Sequence, residues 1–202
     1  MTRLARTWSL LASAALVLAG CASKAPPAPP LLDLGALIEN GQPPSATRGM
    51  PADPAVWQLV SPLRVPAAAE REVVLVSDGQ GQVRPWQGRR WTEPPRDTLQ
   101  RLLLADLARL RGADRVWGGS PPPGVRVDLQ LRVEVLSWEA VESAGEVRLT
   151  ARWSLTSPVG STAPLVQQRS FASPWRPAGA DALLRAQRDV VARLAQAIAT
   201  GG

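Results

Sequence analysis

From Val125 to Val135 apolar and polar positions alternate without a break. Val125, Val127, Leu129, Leu131, Val133 and Val135 are interleaved with Arg126, Asp128, Gln130, Arg132 and Glu134. A period of two over this length predicts a strand with one buried face and one wet face. The phase slips at Leu136, just before Trp138, which predicts a bulge or the strand end. After Ser143-Ala144-Gly145 the alternation resumes at Val147, Leu149, Ala151, Trp153 and Leu155. A weaker run from Leu165 to Phe171 follows Gly160. These three segments predict an antiparallel meander. Upstream, Val73–Val76 is a short apolar run fit for a buried strand. Asp78-Gly79 marks a turn, and Gln82–Trp86 can pair back as a hairpin. Trp57–Val65 contains Pro62 and reads as a broken or edge strand.

Two segments carry the helical period instead. Leu99, Leu102, Leu103, Leu107 and Leu110 recur at spacings of three and four, the stripe of an amphipathic helix. Pro94 and Pro95 suit its first turn, and Gly112 its end. Leu184, Val191, Leu194, Ala195 and Ile198 make a second stripe, with Asp181 as the expected cap and Gly201-Gly202 beyond it. The order of strands, helix, three strands and helix predicts an α+β fold. We expect a mostly antiparallel sheet of five to six strands, with two helices packed on one face.

The first residues follow a different pattern. Arg3 and Arg6 precede an apolar run from Trp8 to Leu18, which ends in Ala19-Gly20-Cys21. A basic start, a short apolar stretch and small residues before a cut are the parts of an export signal. The run is shorter than the ~20 residues that span a bilayer. Leu18-Ala19-Gly20-Cys21 resembles the lipobox of bacterial lipoproteins. That resemblance implies cleavage after Gly20, a diacylglycerol thioether on Cys21 and an N-acyl lipid on the new amine. Several acyl chains anchor stably where one does not. Ala22 and Ser23, with no aspartate directly after the cysteine, favour the periplasmic face of the outer membrane by the same resemblance.

The expected organisation is a signal peptide at 1–20, the lipidated Cys21 with a Pro-rich linker and loop over 21–55, and one periplasmic domain over 56–202. Residues 22–30 are a Pro/Ala linker, extended at ~3.1 Å per residue. Leu31–Leu34 is a short apolar piece before a second Pro- and Gly-rich stretch. The formal charge of +6 falls to nearer +4 once Arg3 and Arg6 leave with the signal. A basic balance can mean nucleic acid. For an exported, lipid-anchored chain no nucleic-acid partner is expected.

The chain has no histidine and no tyrosine, and its one cysteine is the lipid site. A Ser-His-Asp triad and a Cys/His zinc site are therefore excluded. A serine–lysine pair would need Lys24, the sole lysine, which lies in the linker. Asp128 and Glu134 share a wet strand face but lie six residues apart. At ~3.4 Å per residue that is roughly 20 Å, too far for a glycosidase pair. No cofactor, no metal and no enzymatic activity are expected.

Several phrases carry a family resemblance: Leu32-Asp33-Leu34-Gly35, Ser61-Pro62-Leu63-Arg64-Val65-Pro66, and above all Trp86-Gln87-Gly88-Arg89-Arg90-Trp91-Thr92-Glu93-Pro94-Pro95 opening a leucine-rich helix. With the lipobox, the alternating strand and the Ala-rich last helix, they resemble the ABC-type transport auxiliary lipoproteins, the group that includes the PqiC lipoproteins. The resemblance implies an adaptor for an inner-membrane ABC transporter or permease and its MCE-domain periplasmic protein, in lipid transport between membranes. Self-assembly as a homo-oligomer is left open. The other adaptor reading is an assembly factor of a different envelope machine, of the secretin-pilot kind. Trp86, Arg89, Arg90 and Trp91 form the candidate partner interface, because Trp and Arg are enriched in interface hot spots. Against this, the preferred reading of Trp91 is that it packs the base of the leucine helix while the arginines are solvated. Trp138, Trp153 and Trp175 are expected in the core or at the sheet rim.

Overall fold

The computed structural model describes residues 28, 30–36, 54–159, 163–176 and 179–201. The export signal, Cys21 and most of the linker lie outside the described residues. Eight strands, two α-helices and a short 3-10 helix at Ala67–Glu70 are described. The strands are β1 (Leu31–Leu32), β2 (Trp57–Leu59), β3 (Val73–Ser77), β4 (Val83–Trp91), β5 (Val116–Gly118), β6 (Leu129–Val141), β7 (Glu146–Thr156) and β8 (Leu165–Pro174). The helices are α1 (Pro95–Arg111) and α2 (Ala180–Thr200).

The meander read from the alternation is present. β6 pairs antiparallel with β7, and β7 with β8, so that Leu131 faces Leu155 and Val133 faces Trp153 across the buried side. The ladder shifts between Val135 and Ser137, leaving Leu136 as the bulged residue. The bulge resets the phase, and the strand continues to Val141. At its other end β6 starts at Leu129, not Val125. The reason is local: β2 begins opposite Leu129 and β7 ends opposite Gln130, so residues 125–128 have no strand to join.

The expectation of a mostly antiparallel sheet of five to six strands is corrected to a mixed sheet of eight. Along its other edge β6 meets two strands in succession. β2 runs parallel to its first half, with Trp57 opposite Leu129. β3 runs parallel to its far end, with Ser77 opposite Val141. Arg64 bridges the interval by pairing with Glu134. The sheet thus forks at β6: β5 lies outside β2, while β4 and then β1 lie outside β3. The parallel partners are three to five residues long, too short for a periodic signal.

Residues ahead of Val56 also join the sheet. Leu31 and Leu32 form β1 parallel to Arg90 and Trp91, and Leu32 and Leu34 are buried in the core. The Thr92 amide donates to the Leu32 carbonyl at 2.9 Å. This part of the expected linker is therefore part of the folded body.

Both helices cover one face of the sheet. Pro95 occupies the first turn of α1, where its missing N–H costs nothing. The helix closes at Gly112, whose φ of 110° is one that residues with a Cβ rarely adopt. Arg109 and Arg111 in its last turn complement the negative end of the helix dipole. α2 is the central element. Leu183, Val190, Val191, Leu194, Ala195 and Ile198 are all fully buried. Small residues at Ala182 and Ala186 let neighbouring elements approach it. Each buried Leu or Ile contributes roughly 1.5–3 kcal/mol. Its N-cap is Gly179, without a side-chain bond, so Asp181 is inside the first turn rather than at the cap. There its charge still favours the helix N-terminus.

One ion pair is buried between the helices. Arg188 of α2 donates to both oxygens of Asp106 in α1 at 2.5 and 2.6 Å. Arg109 adds a third contact to Asp106 at 2.6 Å. Asp106 is only 2% exposed, so its desolvation is offset by two guanidiniums held in good geometry.

Candidate functional site

Trp86, Arg89, Arg90 and Trp91 all sit on β4, but the structure withdraws both rings from the surface. Between its pairings with Val73 and Leu75, β4 bulges outward. Gln87 and Gly88 at the bulge carry positive φ values of 51° and 68°. This local fold turns Trp86 inward, where it meets Trp175 edge-on at 5.1 Å between ring centres. Trp86 is 3% exposed and Trp91 7%. The two rings of the quartet are thus core residues in this chain. Arg89 lies over the Trp86 ring at 4.9 Å, half-buried, and holds it in place by a cation–π contact. Arg90 is exposed and donates to Glu72 at 2.6 Å. Trp153 and Trp175 are buried in the core and Trp138 packs against it.

Glu93 organises the start of α1. It accepts from the Thr98 hydroxyl at 2.5 Å and from Arg101, which reaches both of its oxygens. Those hydrogen bonds, Arg101 first and Thr98 second, hold its carboxyl below the ordinary carboxylate range. The role is structural.

A concavity lies on the other side of the molecule, on the sheet face that no helix covers. Its volume is about 410 Å³. Two rows of side chains cross it. Strand pairing sets Arg64, Glu134, Arg152 and Gln168 side by side in one row. Arg132, Ser154 and Val166 form the next. Val60 and Pro62 close the side where the sheet forks. A second hollow of about 270 Å³ adjoins the first, sharing Val60 and Arg132 with it. Apart from Arg132, its polar side chains are uncharged: Gln58, Ser61, Ser120 and Gln130. Together they form a groove along β2 and β6.

Charge in the groove is unbalanced. Glu134 is the sole carboxylate in either lining, and Arg152 engages it through two nitrogens at 2.5 and 3.2 Å. Arg64 and Arg132 are exposed, and neither has an ion-pair partner among the described residues. Arg64 is fixed at its backbone, where its carbonyl accepts the Val135 amide at 2.8 Å. Arg132 and Glu134 were legible as wet-face residues of the alternating segment. Arg64 and Arg152 were not, because only the strand pairing shows that they share a row with Glu134.

Asp128 has a structural task too: its carboxylate accepts the Val56 amide at 2.9 Å, locking the start of β2 to β6. No group of three or more His, Cys, Asp or Glu that could hold a metal is found among the described residues. No described helix is long and apolar enough to cross a membrane.

The sequence profile described as ABC-type transport auxiliary lipoprotein component matches residues 37–199. The chain belongs to this family. The fold agrees with solved structures. A Xanthomonas campestris protein of the DUF330 family superposes with a TM-score of 0.63 at 11% identity, covering 84% of this chain and 91% of that one. The crystal structure of an uncharacterized protein gives 0.60 at 19% identity, covering 73% and 90%. At these identities the likeness concerns the fold. No curated protein matches the sequence.

Proposed function

We propose that this auxiliary lipoprotein is the outer-membrane adaptor of an ABC/MCE-type lipid transport system. In this reading the acyl chains on Cys21 hold the domain at the periplasmic face of the outer membrane. The domain then receives an MCE-domain protein that spans from the inner-membrane permease. The observation that carries the proposal is the family match over residues 37–199. The lipobox-like Leu18-Ala19-Gly20-Cys21 supports the tether, and the first described strand at Leu31 leaves only a short Pro-rich segment between lipid and domain. Confinement near one leaflet raises the effective concentration of the domain for a partner that reaches the same leaflet.

Affinity purification of the full-length lipoprotein from detergent-solubilised envelopes tests this reading. Recovery of an MCE-domain protein is expected. Consistent recovery of the components of a different envelope machine, with no MCE protein, overturns it. For the tether, Cys21→Ala should yield a folded protein released from the membrane fraction. A Cys21→Ala chain that still fractionates with outer membranes in the absence of its partners contradicts the lipid anchor.

A further inference from the structure

We infer that the groove on the uncovered sheet face is a docking site for an extended, acidic segment of a partner protein. For the identity of that partner the inference rests on the adaptor reading above. The chemistry of the segment follows from the groove itself.

Three observations lead to an acidic occupant. The lining carries Arg64, Arg132 and Arg152 against Glu134 alone, an excess of two positive charges. The Glu134 carboxylate is already taken up by Arg152, so Arg64 and Arg132 are the two guanidiniums free for an incoming anion. Guanidinium forks bind carboxylates in paired hydrogen bonds, which gives direction as well as affinity. A second copy docked symmetrically, groove to groove, does not fit, since it would set the same positive surface against itself.

Shape selects a polypeptide segment. The two adjoining hollows make an elongated groove whose cationic part passes into the neutral amides and hydroxyls of Gln58, Ser120 and Gln130. An extended chain matches that sequence of surfaces: acidic side chains at Arg64 and Arg132, main-chain polar groups beside the glutamines. Val60, Pro62 and Val166 add an apolar rim, and Val166 is 55% exposed. A compact anionic headgroup would use only one end of such a groove.

The test titrates the full-length lipoprotein, held in a non-ionic detergent, with a fluorescent hexaglutamate peptide, and reads anisotropy. Hexalysine and short-chain phosphatidylglycerol are the parallel probes. Binding of hexaglutamate that weakens with added salt is expected. Arg64→Ala with Arg132→Ala should reduce the affinity about tenfold or more. Arg185→Ala, which removes an exposed arginine on the helix side, should leave it unchanged. Glu134→Gln frees Arg152 and should tighten binding several-fold. The inference is overturned if hexaglutamate does not bind, or if Arg185→Ala weakens binding as much as the groove variant. It is equally overturned if phosphatidylglycerol binds in the groove and excludes the peptide. An MCE-domain protein recovered equally by wild type and by the groove variant would sink the groove and leave the adaptor reading standing. Failure of the wild type to recover one would sink the adaptor reading alone.

Discussion

The two faces of the central sheet are built from the same strands yet serve different ends. On the covered face, Leu131, Val133, Leu149, Ala151 and Trp153 are nearly or fully buried beneath the helices. One step along each strand, Arg132, Glu134, Arg148 and Arg152 point away from the helices. The covered face supplies most of the folding free energy, because apolar area removed from water is its main source. The uncovered face is charged, incompletely paired and grooved. Stability and recognition are thus separated by the pleat of the strand. Substitutions on the two faces should differ by several kcal/mol in cost.

The largest effect is expected at Trp175. It is 1% exposed, abuts Trp86, and its indole N–H donates to the Gly179 carbonyl at 3.2 Å. Trp175→Ala should cost about 3–5 kcal/mol in urea unfolding. A loss below 1 kcal/mol would mean that the Trp86–Trp175 pair does not anchor β4 to the core.

A similar loss should follow when Asp106→Ala strands the buried Arg188, about 3–5 kcal/mol. Replacing the pair together, Asp106→Leu with Arg188→Met, should recover most of it. If the single and double variants lose the same amount, the ion pair is an essential part of the helix contact and not a replaceable one.

The uncovered face sharpens the contrast. Glu134→Gln breaks the pair with Arg152, whose side chains are 32% and 51% exposed. Its cost should stay within ~1 kcal/mol, since partly exposed pairs contribute little. A cost comparable to that of Trp175→Ala would show that this face, too, holds the fold together.

The smallest effect is a pH dependence. The folded carboxyl of Glu93 is held below its ordinary value of 4.5 by Arg101 and then Thr98. A depressed folded value stabilises the protein above the unfolded pKa, and that contribution is lost as pH falls through the folded value. Glu93→Gln should therefore lower stability slightly at neutral pH and flatten the decline below about pH 4.5. Parallel acid limbs for wild type and variant would contradict this role.

How much of this was legible in the sequence depended on the length of each element. β6 and β7 are long and half-buried, so alternation exposed them, bulge at Leu136 included. α1 and α2 showed themselves by their leucine and alanine stripes. β1, β2 and β5 are two or three residues long and join the sheet through long-range parallel pairing, which leaves no period to read. The same reason hid the groove, whose Arg64 and Glu134 meet only across the fork. Trp86 and Trp91 were open to two readings because composition marks interfaces and cores alike: both favour tryptophan. The Gln87–Gly88 bulge decides the case for Trp86 by turning it inward.

In this division of labour the uncovered face receives the partner while the covered face holds the fold. The most direct test is Arg64→Glu combined with Arg132→Glu in the full-length lipoprotein, followed by unfolding and by partner recovery from solubilised envelopes. An unfolding free energy within about 0.5 kcal/mol of wild type is expected, as for other surface changes, together with loss of the co-purifying protein. Recovery of that protein at wild-type levels by a stably folded double variant would contradict it.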